Sequence, residues 1–324
     1  MIRFFIIVLS IGLVSTLPSC IYDYPYAQGN NPSAVETGID LSFQLSWDNF
    51  NHHIDFSTRA RNVKPHRFIF EASTNGEVVC RDEEWLTDED FSKGSLRHRF
   101  SKPLSTKVYD IVVWYEGSMI NGNEEAIIFN SENLSAVFVT SLTTHNSSEK
   151  RCGYANAHVD FSAHAGNLHA SEIIEMELLH GGSRFELIAS DIQEFISNQK
   201  DALLLGDSFC VQIVTYNNSL NLYSGKISFS DISVEYFGDL ILPFYDFEEL
   251  KIAEGFIFCS QEDTMSLSLN IYNSDKLVVA RTPAFSFPVK RGYITKVRGD
   301  FLSFPIDGSL SVNQIWEGEI DIDA

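Results

Sequence analysis

The chain has 324 residues, with 23 Lys and Arg set against 44 Asp and Glu, and the resulting formal charge of −21 excludes a nucleic-acid partner, which needs basic patches. The tightest basic groupings, Arg97 to Arg99 and Lys290 with Arg291, are short and flanked by apolar residues or glycine. After residue 20 no stretch reaches the roughly 18 consecutive apolar residues that a membrane-spanning helix requires.

Residues 1–20 read as a lipoprotein signal peptide. Arg3 precedes the apolar stretch Phe4 to Leu17, and Leu17, Ser19 and Cys20 form a lipobox. Cleavage is expected between Ser19 and Cys20, with lipidation of the Cys20 sulfur. Each buried acyl methylene contributes about 0.8 kcal/mol, so the lipid alone is expected to hold the mature protein to a membrane. Removal of this segment takes away Arg3 and no acid, leaving −22. Residues 21–37, rich in Tyr, Asn, Pro and Gly, read as a tether, and Tyr22, Tyr24 and Tyr26 suit a membrane-proximal position.

The first strand is announced by strict alternation, with Ile39, Leu41, Phe43, Leu45 and Trp47 facing a core and Asp40, Ser42, Gln44 and Ser46 facing solvent. Comparable signals predict strands at Arg67 to Ala72, Val108 to Tyr115, Ala136 to Thr140 and Gly153 to Phe161. The acidic runs Asp82 to Glu84 and Asp88 to Asp90 lack the alternating ligands and central glycine of a calcium loop, and read as solvated loops. A polar stretch at Ser162 to Asn167 places a domain boundary near residue 166, giving domains 38–165 and 166–324.

The second half opens with Glu172 to Leu179 and Arg184 to Ala189, read as a hairpin about His180, Gly181, Gly182 and Ser183. Ser190 with Gln193 has capping-box spacing, and Ile192, Phe195 and Ile196 give one short helix an apolar stripe. Strands follow at 208–216, 222–229, 255–260, 265–272, 276–280, 285–289, 293–301 and 315–322, the last expected to be integral to the second domain. Many short strands at this spacing, with one helix, predict an all-β protein of two β-sandwiches.

Chemical constellations are sparse. Gly206, Asp207 and Ser208 have the look of an esterase nucleophile block, but such enzymes place their histidine downstream, and all nine histidines lie at or before His180. His158 and Asp160 with His164 and His169, and His52 and His53 with Asp55, contain competent metal ligands without a defined ligand spacing, so no metal is assigned. No phosphate-cradling loop or dinucleotide fingerprint occurs. Cys80, Cys152, Cys210 and Cys259 are isolated; burial as small hydrophobes and one or two disulfides both remain open. Neither a catalytic set nor a cofactor is expected.

Near the C-terminus, Arg281-Thr282-Pro283 leads through Pro288-Val289-Lys290-Arg291 into Val297-Arg298-Gly299-Asp300-Phe301-Leu302, and Gly318-Glu319 follows. Met176 to Leu179 with Arg184 to Asp191 and Phe195 forms a second pattern, and Tyr109 to Trp114 a third. These segments resemble the fimbrillin-family lipoproteins of Bacteroidales. His180-Gly181 and Asn313-Gln314-Ile315-Trp316 depart from that family's usual Arg-Pro and Asn-Pro-x-Phe. The resemblance implies two tandem transthyretin-like β-sandwich domains with one short helix in the second. It also implies a fimbrial anchor or accessory subunit, held to the outer membrane by its lipid, that docks a neighbouring fimbrial subunit by strand addition. Polymerising members of that family shed an N-terminal segment after Arg or Lys, yet none occurs between Cys20 and Arg59, which favours a subunit that keeps its lipid. Asp263-Thr264-Met265 is similar to the O-glycosylation signature of exported proteins in that bacterial group and marks Thr264 as a candidate site. A carbohydrate-binding surface lipoprotein, with glycans as partners, is the alternative.

Overall fold

The structure is a computed structural model that describes residues 34–44, 66–117, 119–121, 124–126, 129–139, 152–167, 170–204, 206–242, 248–303 and 319–320. Ser19, Cys20, the tether to residue 33, Leu45, Trp47, His52, His53, Asp55, His169 and the Asn313 to Trp316 departure lie outside the described residues.

In the first half the elements are β1 (Ala34–Phe43), β2 (His66–Thr74), β3 (Glu77–Leu86), α1 (Asp88–Phe91), β4 (Ser95–Arg99), β5 (Leu104–Ser105) and β6 (Val108–Gly117). They continue through β7 (Met119–Asn121), β8 (Glu124–Ala126), β9 (Phe129–Asn130), β10 (Val137–Val139), β11 (Cys152–Asp160) and β12 (Ala170–His180). The strand order of the first sheet is β3-β2-β6-β11-β12-β1-β4, with β5 also on β1. β1 follows the alternation read from the sequence: Ile39, Leu41 and Phe43 are buried, while Ser42 is exposed. It reaches back to Ala34, into the segment expected as tether.

β2 and β6 are covered on both faces. Phe68, Phe70, Ile111, Val113 and Tyr115 join the core of the first sheet, while Ile69, Val112 and Trp114 point the other way into a separate cluster with Phe129, Leu220, Phe256 and Phe258. That double burial is why Ile111 to Tyr115 is continuously apolar instead of alternating.

The second half contains β13 (Gly182–Ala189), α2 (Ile192–Asn198), α3 (Lys200–Leu204), β14 (Phe209–Asn221), β15 (Lys226–Leu240), β16 (Leu250–Phe258) and β17 (Glu262–Asn273). It closes with β18 (Val278–Arg281), β19 (Phe285–Lys290), β20 (Ile294–Gly299) and β21 (Glu319–Ile320). One sheet runs β18-β17-β14-β10-β9, with β15 on β14 and β19 on β17; another runs β16-β13-β20-β21. Phe185, Leu187 and Ala189 of β13 pack against Val211 and Ile213 of β14 and Leu267, Leu269 and Ile271 of β17, so the two sheets share one core. The protein is all-β, as its patterning predicts.

Several expectations are corrected. β12 and β13 do not form a hairpin: β12 pairs with β1 and β11, whereas β13 pairs with β16 and β20. The intervening glycines serve close approach. A Cβ at Gly181 would collide with Cys152 Sγ, and one at Gly182 with the backbone oxygen of Ile257. The acidic run Asp82 to Glu84 lies in strand β3, where Ser101, Arg67 and His98 satisfy these acids from other segments, and Asp88 to Asp90 opens a helix whose Asp90 N–H is capped by Thr87. Ser190 does not complete a capping box; Asp191 is the N-cap, and Ser190 Oγ instead donates to Asp300 Oδ1 at 2.9 Å. Helices α1 and α3 join the one expected.

Two sheets cross residue 166, since β12 completes the first sheet and β10 pairs with β14. Side chains add to this joint: Tyr223 Oη donates to Glu71 Oε2 at 2.7 Å, and Asn156 Nδ2 donates to the Leu222 carbonyl at 2.8 Å. Within β20, Thr295 and Lys296 pair with Ile320 and Glu319, so the described part of the last expected strand joins this sheet as its end strand.

Candidate functional site

Among the described residues the individual candidates resolve simply. Thr264 is exposed on β17, with the buried Met265 next to it, so a modifying enzyme could reach its hydroxyl. Cys80, Cys152 and Cys259 are buried and Cys210 half-buried, all four as free thiols. Burial pushes the Cys259 thiol up to about 12 and the Cys152 thiol well above its ordinary value, which leaves both as inert packing groups. His158 Nδ1 sits 2.7 Å from Asp110 across the β11–β6 ladder, His164 Nε2 sits 3.0 Å from Glu172, and Asp160 accepts from the Ser162 backbone instead. Each histidine therefore has one carboxylate, and no group of three or more metal-binding side chains converges among the described residues. Gly206 takes φ +86° in a turn into β14, and Asp207 accepts from Ser274, so the supposed nucleophile block is a turn.

What remains is the sheet edges. The first sheet ends at β3 and β4, and side chains tie these two edges together. Ser101 donates to Asp82 through its backbone N–H at 2.8 Å and through its hydroxyl at 2.6 Å. His98 of β4 lies 2.5 Å from Glu84 through Nδ1 and 3.3 Å from Asp82 through Nε2, and its ring stacks on Phe70 at 4.0 Å. Desolvation works against the Asp82 charge, but the Ser101 hydrogen bonds and His98 outweigh it and hold this carboxyl below its ordinary range.

β15 is different. It forms a hairpin with β14 through a turn in which Gly225 has φ +64°, and among the described residues it is hydrogen-bonded to β14 alone. The opposite side of β14 is taken by β17 and β10. The 15 residues of β15, a strand on the order of 50 Å long, thus have no second strand beside them among the described residues. Val234, Tyr236 and Gly238 turn partly inward, whereas Ser233, Glu235, Phe237 and Asp239 are exposed. Burial raises the Tyr236 phenol. Phe229 and Phe237 are 50% and 57% exposed, and Asp231, Glu235 and Asp239 make the edge acidic.

The strand expected at 222–229 ends at Phe229, whereas β15 runs on to Leu240. Its signal was present further on, where Ser233, Glu235 and Asp239 alternate with Val234, Tyr236 and Leu240.

Solved structures to which the chain is similar include the fimbrial anchor protein Mfa2 from Porphyromonas gingivalis, at 12% identity and TM-score 0.41, covering 81% of this chain and 90% of that one. A fimbrial assembly protein from Parabacteroides distasonis aligns at 9% identity and TM-score 0.36, covering 82% of this chain and 92% of that one. No curated protein matches the chain. The chain belongs to a family of unknown function, DUF6562, which matches residues 31–324.

Proposed function

We propose that this chain is a non-enzymatic surface lipoprotein that anchors or joins a fimbria, accepting a strand from a neighbouring subunit along the free edge of β15. The observation that carries this reading is that β15 has β14 as its one strand partner among the described residues, on a molecule whose other long sheet ends at edges tied by side chains. Backbone hydrogen bonds along such an edge supply affinity, and alternate side chains supply specificity. The lipobox ending at Cys20 supports attachment to the outer membrane, and the division into domains 38–165 and 166–324 with transthyretin-like topology belongs to the same proposal.

Charge favours a different chain as the donor. A second copy would bring Asp231, Glu235 and Asp239 against their own kind, whereas a segment carrying Lys or Arg would complement them.

A photo-crosslinking amino acid at Ser233, introduced in cells that assemble fimbriae, tests the docking edge. A covalent adduct with a fimbrial subunit is expected at Ser233 and not at Val78 on β3. Adducts at Val78 alone, or no adduct at either position, would refute docking on β15. Cys20→Ala tests the anchor separately and should move the protein from the membrane to the soluble fraction with loss of palmitate label.

A further inference from the structure

We infer that the outward face of the β18-β17-β14-β15 sheet is a glycan-binding site, centred on Gln212, Phe237, Asn270 and Arg281. This inference does not rest on the docking reading, because it uses the face of the sheet and not its backbone edge.

Register places the four residues in one row across four strands, with Arg281 opposite Asn270, Asn270 opposite Gln212, and Gln212 opposite Phe237. At a strand spacing of about 4.8 Å the row is roughly 14 Å long. The polar members are bonded in series. Arg281 Nε donates to Asn270 Oδ1 at 2.7 Å, and Asn270 Nδ2 donates to Gln212 Oε1. Tyr272 Oη donates to the same oxygen at 2.9 Å, and Gln212 Nε2 donates to Glu235 Oε2 at 2.8 Å.

Gln212 is the unusual member. It lies on the side of β14 opposite to the core-facing Val211 and Ile213, yet it is only 4% exposed. Phe237 and Tyr272 flank it, with ring centroids 6.4 Å apart. The buried amide is thus fixed by hydrogen bonds from Asn270 and Tyr272 and to Glu235, and anchors the more exposed groups around it. Tyr216, two positions beyond Val214 on the same face of β14, adds a further ring that is 53% exposed.

The ligand chemistry follows from this combination. Rings standing clear of a flat sheet offer an apolar platform, and planar amide, guanidinium and carboxylate groups offer directional hydrogen bonds. Groups already fixed by one another lose little further freedom on binding. Arg281 and Glu235 oppose each other in charge, which suits an uncharged ligand over an anion. A single carboxylate cannot hold a metal ion, and the apolar surface is broken up by polar groups, unlike the continuous core of a protein interface. A polyhydroxylated, mainly neutral chain lying across the strands meets all of these conditions.

The full-length, detergent-solubilised protein, fluorescently labelled, should be applied to an array of plant, fungal and host glycans. The strongest hits should then be re-measured by affinity electrophoresis in gels containing that polysaccharide. Saturable binding is expected, reduced about tenfold or more by Phe237→Ala and by Arg281→Ala with melting temperatures unchanged. Asn270→Ala should give an intermediate loss. Absence of binding to every glycan on the array, or wild-type affinity in both Phe237→Ala and Arg281→Ala, would overturn the proposal. So would loss of the Ser233 crosslink in Phe237→Ala without glycan binding by the parent, which would assign this face to the docking partner. Conversely, glycan binding without any crosslink would leave this site standing and remove the docking reading.

Discussion

The two ends of the first sheet and the outer strand of the second present the same physical problem and solve it differently. β3 and β4 carry unpaired backbone groups, but Asp82, Glu84, His98 and Ser101 join one edge to the other and occupy the space a foreign strand would need. β15 has no second strand partner among the described residues, and its exposed positions include Asp231, Ser233, Glu235 and Asp239 and the phenylalanines Phe229 and Phe237. A protein that blunts one pair of edges and leaves a longer one bare shows where pairing with another chain is resisted and where it is tolerated.

The contrast predicts opposite responses to the same kind of truncation. Phe43 ends β1 at 6% exposure and packs on Phe68 and Phe91, with centroids 5.5 and 4.9 Å away. Phe43→Ala should therefore cost about 3–5 kcal/mol, whereas Phe237→Ala on the bare strand should change stability by no more than about 0.5 kcal/mol. Denaturant midpoints measure both, and equal losses would erase the distinction. The neighbouring Ser42→Ala should behave like Phe237→Ala.

A second test loosens the tied edges. His98→Ala removes the stack on Phe70 and leaves Asp82 and Glu84 without their shared partner, for an expected cost of about 1–3 kcal/mol. Amide exchange should accelerate in β3 and β4 and stay unchanged in β15; uniform acceleration would mean that His98 supports the whole fold. On the bare edge, Asp231→Lys should leave the melting temperature within the range of ordinary surface substitutions. The same change should weaken the Ser233 crosslink if the donor segment is basic.

The sequence carried the strands well wherever one face meets a core and the other meets water, as in β1 and in β17, where Met265, Leu267, Leu269 and Ile271 alternate. It failed where partners come from far along the chain. Asp82 to Glu84 reads as a loop because nothing nearby announces His98 or Arg67, which satisfy those acids across the sheet. Gly181 and Gly182 read as a turn, although what they accommodate is Cys152 and Ile257, 29 and 75 residues away by number. The candidate edge was half legible, since periodicity can locate a strand but cannot tell which strand of a sheet lacks a neighbour. The polar row across Arg281, Asn270 and Gln212 was not legible at all, because register between four strands is a product of the fold.

The smallest expected effect concerns pH, and it too separates the two halves. Asp82 in β3 has its carboxyl held below the ordinary 3.8, because hydrogen bonds from Ser101 and the proximity of His98 outweigh desolvation. The unfolded chain then binds the proton more readily. This residue's contribution is present above pH 3.8 and is lost as pH falls through the lower, folded value. Asp191, which caps α2 and accepts from the backbone N–H groups of Leu302 at 2.8 Å and Ser303 at 2.6 Å, is shifted the other way, because burial outweighs those bonds. Its contribution is fully present below pH 3.8 and is lost as pH rises through the raised, folded value. Relative to the parent protein, Asp82→Asn should therefore lose its disadvantage on acidification below pH 3.8, while Asp191→Asn should gain ground as pH rises above it. Urea melts of the two variants across this range should give stability differences with slopes of opposite sign. Parallel slopes would show that one of the two carboxyls is shifted in the opposite direction.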